Sequence, residues 1–110
     1  MEATRSQLHR LAEGLASFPP DRLADLAEAC LQTGVASSDM RFVVLADCWR
    51  MLDEYWDSGG IQTADVAELD EMLGSLLPWV LNEPDPDAAK QLAQHLHEEM
   101  KLFVAAHPST

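Results

Sequence analysis

Five stretches of the chain repeat apolar residues at the three- and four-residue spacings of one helical face, and none alternates as a half-buried strand would. The first covers residues 4–17, where Leu8, Leu11 and Leu15 lead to Phe18, and Pro19 and Pro20 predict its end. Pro20 suits the first turn of a second helix, where a missing N–H costs no hydrogen bond. Leu23, Leu26, Ala27, Cys30 and Leu31 form that helix's buried stripe, and Gly34 is its expected left-handed closing residue. These two helices read as an antiparallel hairpin. In the loop TGVASS, Ser38 is the expected N-cap of a third helix, with Asp39 near its positive end.

The third helix is predicted over about residues 39–57, and Gly59 and Gly60 follow it. Thr63 is the expected cap of a fourth helix that carries Val66, Leu69, Leu73, Leu76, Leu77 and Val80 along one side. Pro78 is expected to kink or end its last turn. NEPDPD predicts an extended turn, because each proline disfavours helix in the residue before it. A fifth helix over residues 87–106 turns Ala89, Leu92, Leu96, Met100 and Phe103 inward, and the closing HPST is expected to fray. RFVVLA is the one short run that suits a buried strand, but it flows directly into helical spacing. The expected architecture is all-α: one domain over residues 1–110, an up-and-down bundle of about five amphipathic helices with the third at its centre.

The third helix contains DCWRMLDEYWD, which places aromatic rings among acids. At about 100° per residue, with Phe42 at zero, Phe42, Leu45, Trp49, Leu52 and Trp56 fall at roughly 280–360°. Val44, Cys48, Met51 and Tyr55 fall at roughly 180–240°, while Asp47, Arg50, Asp53, Glu54 and Asp57 take the opposite arc at roughly 20–140°. The rings and the acids therefore part onto two sides. The apolar side spans about 180°, wider than one neighbour covers, so the helix must touch at least two. Two readings follow: both tryptophans lie in the core, or the edge of Val44, Met51 and Tyr55 stays open as a docking surface or dimer seam. Trp79, beside Pro78 and off the main stripe of the fourth helix, is the better candidate for an exposed anchor, although packing on the NEPDPD turn explains it equally well.

Charge narrows the partner class. Nineteen acids against seven bases give −12, and residues 61–87 hold seven acids (Asp65, Glu68, Asp70, Glu71, Glu83, Asp85 and Asp87) and no base. Such a surface repels DNA, RNA and anionic lipid, so neither direct nucleic-acid binding nor membrane binding is expected. A basic protein surface, such as that of a nucleic-acid-handling protein, is the expected partner; solubility alone is the other use for these acids. MEATRSQLHR lacks the apolar run of a secretory signal, and no stretch approaches the roughly 20 apolar residues of a membrane span. The expected location is cytoplasmic, where Cys30 and Cys48 stay reduced. Abundant alanine, and arginine over lysine, suit a bacterial or phage chain from a GC-rich genome.

Candidate chemistry is sparse. His95 and His97 point about 200° apart on a helix, so they cannot share an ion, and His95 with Glu99 offers only two ligands. No histidine follows a glutamate by three residues, as helical carboxylate metal sites require. Cys30 and Cys48 sit on apolar stripes, which suppress the thiolate, and the adjacent acid pairs Asp53–Glu54 and Asp70–Glu71 diverge toward solvent. Gly59–Gly60 lacks the lysine and strand of a phosphate loop. The expectation is therefore a small acidic module that is not an enzyme and needs no metal or cofactor. Its partner-binding residues would be Asp65, Glu68, Asp70, Glu71, Trp79, Glu83, Asp85 and Asp87, with Val44, Met51 and Tyr55. It would act as an inhibitor of the antitoxin, immunity or phage-encoded kind, or as an adaptor. Two alternatives stay open: a homodimer closed through the third helix, and a helical pocket for a small apolar ligand.

Overall fold

Several helix boundaries trace to particular backbone groups. The computed structural model describes residues 2–14, 18, 20–57 and 63–106. Its elements are α1 (Glu2–Glu13), a 3-10 turn (Pro20–Arg22), α2 (Leu23–Ser37), α3 (Met40–Asp57), α4 (Thr63–Asn82) and α5 (Pro86–Ala106). Every regular element among the described residues is helical. The five helices form one globule with a radius of gyration of 12.9 Å, and α3 packs chiefly on α2 and α5 while α1 packs on α4. No described helix is long and apolar enough to cross a membrane.

α1 stops at Glu13, four residues before the end expected from the prolines. Gly14 takes φ 127°, a region that a residue with a Cβ rarely enters, and its N–H donates to the carbonyl of Leu11 at 3.0 Å. Leu15, Pro19, Gly59, Gly60 and the terminal HPST lie outside the described residues, as does the side chain of Thr63, the expected cap, at which α4 begins.

At the α2–α3 junction the expected roles shift along the chain. Ser38, the expected N-cap of α3, instead closes α2 in the left-handed region (φ 56°), and its N–H donates to the Gly34 carbonyl. Asp39 caps α3, its Oδ1 accepting the N–H of Arg41 at 3.1 Å. Gly34, the expected closing residue, lies inside α2 at the crossing with α3. A Cβ there would sit 2.7 Å from Val43 Cγ2 and 3.0 Å from Val43 N. Its lack of a side chain therefore allows close helix approach and does not serve a turn.

α4 runs through Pro78 and ends only at Asn82. Pro78 has no N–H for the Gly74 carbonyl one turn back. The helix continues because Val80 and Leu81 are buried and its last carbonyls are held from elsewhere in the fold. α5 opens one residue earlier than expected, with Pro86 in the first turn and Asp85 at its cap: Asp85 Oδ1 accepts the N–H of Asp87 at 3.4 Å.

Both halves of the apolar side of α3 contribute to the core. Phe42, Leu45, Cys48, Trp49, Leu52 and Tyr55 are buried, and Trp56 packs partly against the same core. Tyr55 meets Phe103 of α5 edge-on, with centroids 6.0 Å apart at 82°. Between α1 and α2, the hydroxyls of Thr4 and Thr33 share a buried hydrogen bond of 3.1 Å.

Candidate functional site

The outward face of α4 follows from its sequence spacing. Glu68, Met72, Ser75, Leu76 and Trp79 recur every three or four residues, which puts them on one side, away from the buried Leu69, Leu73 and Leu77. Glu68, Glu71, Ser75 and Trp79 are exposed, and Met72 and Leu76 are half-buried. Across from them lies the flank of α5 that carries His95, Glu99 and Leu102. The two flanks enclose a surface trench with carboxylates at its rim and thioether and aliphatic groups along its floor. His95 Nε2 stands 4.0 Å from Glu99 Oε1 within it. At the far end, Leu102 is 63% exposed.

One turn beyond Leu76, Trp79 is 68% exposed and lines a second cleft with Pro78, Asn82 and Glu83. Its backbone is firmly held although its ring is not covered. Arg41, only 3% exposed, donates through Nη1 to the carbonyls of Val80 and Glu83, both at 2.8 Å, while its Nε is 2.9 Å from Asp39 Oδ2. Arg5 Nη1 donates to the Leu81 carbonyl at 3.0 Å, and the Arg5 guanidinium lies 5.3 Å from the Phe42 ring centroid. Two guanidinium groups thus meet the negative end of α4, whose own last turn contains no base.

The expected binding residues divide among four places. Glu68 and Glu71 border the trench, whereas Asp70 points to the end of α1, where a Cβ on Gly14 would come 3.2 Å from its Oδ2. The side chain of Asp65 lies outside the described residues. Glu83 adjoins Trp79 and its Oε1 accepts the Asp85 N–H at 3.2 Å, so Glu83 and Asp85 both organise the turn before α5; Asp87 is exposed in the first turn of α5. Val44 and Met51 are half-buried against the core and Tyr55 is 5% exposed, apart from the trench. Of that edge of α3, Tyr55 is buried within the chain, while Val44 and Met51 keep part of their surface exposed.

Four contributors escape the spacing pattern. Leu102 falls about 120° from Leu96 and the core stripe of α5, a leucine where the pattern calls for a polar residue. The spacing of His95 and Glu99 suggests only a pair of metal ligands, although they lie on the flank that faces Met72 and Glu68. Arg41 falls at about 260° on the wheel of α3, inside the apolar arc.

Chemically reactive groups are subdued elsewhere. Cys30 and Cys48 are free, buried thiols. Burial pushes both up to about 12, aided at Cys48 by the charge of Asp47 and opposed at Cys30 by the Trp49 indole. That indole N–H is buried without a nitrogen or oxygen acceptor, leaving the Cys30 sulfur as its weak neighbour. Among the described residues, no three histidine, cysteine or acidic side chains gather closely enough to hold a metal ion. No protein-family description, curated protein or solved structure matches this chain significantly.

Proposed function

We propose that this protein is a non-catalytic binding module that docks on a basic protein through the outer face of α4, the adjoining flank of α5 and the turn between them. The observation that carries this reading is Trp79, an indole 68% exposed whose neighbours in its cleft include Glu83. A large apolar ring left in water gains free energy when a partner covers it, and tryptophan anchors of this kind typically carry about 2 kcal/mol or more. Surface carboxylates contribute only about 0–1 kcal/mol per ion pair, so their main effect is to speed encounter with a cationic surface. Charge would set the rate of capture and Trp79 its duration.

The dispersal of the acids supports action by contact. Asp70 faces α1, Asp85 accepts a backbone N–H, and the two thiols hold their protons firmly. An acidic helical module of this kind suits the cationic groove of a nucleic-acid-handling protein, which it would inhibit as antitoxins, immunity proteins and phage-encoded inhibitors do. Joined to a larger assembly, the same contact makes an adaptor. A homodimer through α3 draws less support, since Trp49 and Tyr55 are buried within one chain, as does a small-ligand pocket, since the clefts open on the surface.

The test is affinity capture of protein partners from the native source at about 0.1 M and about 1 M salt, where the screening length falls from roughly 10 to 3 Å. The expected partner is basic, is released at the higher salt, and is lost on Trp79→Ala. Capture indifferent to both salt and Trp79 overturns the proposal.

A further inference from the structure

Building on the docking reading, we infer that the element seated between α4 and α5 is one amphipathic helix of the partner, cationic along its flanks and apolar along its buried face. The two clefts along this seam have Glu68, Met72 and Glu99 in common, so they form one continuous trench. Its floor is Met72 and Leu76, and Leu102 stands at the end away from Trp79. Glu71 on α4 and Glu99 on α5 supply carboxylates to opposite walls. An occupant must therefore present apolar groups downward and cations to both sides.

Backbone chemistry selects the helix. Among the described residues there is no sheet edge, so an extended segment would find no ladder of N–H and C=O groups to join. A helix satisfies its own backbone bonds and needs only side-chain contact. From Glu68 to Leu76 the α4 wall is about 12 Å long, matching roughly two turns of a partner helix. That length admits apolar anchors at positions i, i+3 or i+4, and i+7, set against Leu102, Met72 and Leu76. The Met72 side chain is flexible enough to fit anchors of differing shape.

The probe is a synthetic Leu/Lys peptide of about 15 residues patterned for one apolar helical face, compared with a scrambled peptide of the same composition. Affinity for the full-length protein is read by fluorescence anisotropy and induced helix by circular dichroism. The patterned peptide is expected to bind about tenfold or more tighter and to gain helicity, with Leu102→Asp and Glu99→Lys each weakening it about tenfold. Both variants keep the parental melting curve, because Leu102 lies 63% exposed and Glu99 is a half-exposed side chain on the same flank. Asp25→Lys makes the same change of charge on the exposed side of α2 and is expected to weaken binding less than about twofold.

Equal binding of the scrambled peptide overturns the helical occupant and leaves docking on a basic surface standing. An effect of Asp25→Lys equal to that of Glu99→Lys places the attraction in overall charge and overturns the trench. Failure of both peptides while Trp79-dependent capture persists overturns this inference alone.

Discussion

Arg41 and Val80 are joined by a hydrogen bond of 2.8 Å from guanidinium to carbonyl, so the first turn of α3 fastens the last turn of α4. The bond acts two residues after Pro78, where the proline has already removed one helical donor. It also fixes the backbone next to Trp79. A buried cation in an acidic protein thus holds the platform from which the exposed ring projects, and Asp39 neutralises that cation while capping α3.

Replacing Arg41 by Met removes the donor from the Val80 and Glu83 carbonyls and strands the carboxylate of Asp39. Breaking one side of a buried pair typically costs about 3–5 kcal/mol, and Arg41→Met is expected near the lower figure because Asp39 is partly reached by water. Arg41→Lys restores the charge but cannot reproduce the fork of a guanidinium, so it recovers only part of the loss. Urea unfolding measures both. A midpoint unchanged by Arg41→Met would show that these bonds contribute no net stability.

Much of this arrangement is legible in the residue pattern. The wheel of α3 separates Trp49 and Leu52 from Asp53 and Glu54 and shows that two partners are needed, and α2 and α5 are those partners. What the pattern obscures are the particulars of approach and capping. Gly34 reads alike as a turn residue and as a close crossing, because both need only the lack of a Cβ. Gly14 is hidden in the pattern, since Leu15 and Phe18 continue the helical spacing beyond it. Ser38 and Asp39 are both cap formers, and only the reach to the Arg41 N–H decides between them. Arg41 itself was visible as a charge in an apolar arc, but its carbonyl partners lie 39 and 42 positions along the chain. Of the expected site, the spacing placed Glu68 on one side of α4, while only the fold sets α5 across from it and moves Tyr55 indoors.

The glycines of α2 and α4 should respond in opposite senses to alanine. At Gly34 the new Cβ meets Val43 Cγ2 at 2.7 Å and backbone atoms at 3.0 and 3.2 Å, so α2 and α3 must separate. Overpacking of this kind costs about 1–3 kcal/mol. At Gly74 the nearest atom is the Ala12 carbonyl oxygen at 3.4 Å, an ordinary contact, and alanine gains up to about 1 kcal/mol of helix propensity. Thermal melts should show Gly34→Ala lowered and Gly74→Ala level or raised. The same sign for both would refute the close α2–α3 crossing.

Trp79→Ala should leave stability within about 0.5 kcal/mol, since most of the ring already lies in water. Loss of partner capture by this variant would then reflect the missing anchor and not an unfolded protein. A fall of several kcal/mol in denaturant would instead assign the ring to the support of the turn before α5.

The two thiols predict a particular loss of stability in alkali. In the unfolded chain a cysteine gives up its proton near 9, whereas burial raises Cys30 and Cys48 to about 12 in the native state. Below pH 9 both states hold these protons and the thiols add no pH dependence. Between 9 and 12 the unfolded state has released protons that the native state retains, so each thiol favours unfolding by about 1.4 kcal/mol per pH unit. Denaturant melts at pH 8, 9, 10 and 11 should therefore fall more steeply for the parent protein than for a Cys30→Ala, Cys48→Ala variant. The variant starts lower, because each side chain leaves a small void, but every other group is common to both proteins and its contribution cancels in the comparison. Parallel slopes would mean that water reaches the sulfur atoms and that the packing of Trp49 between α2 and α3 is looser than the fold shows.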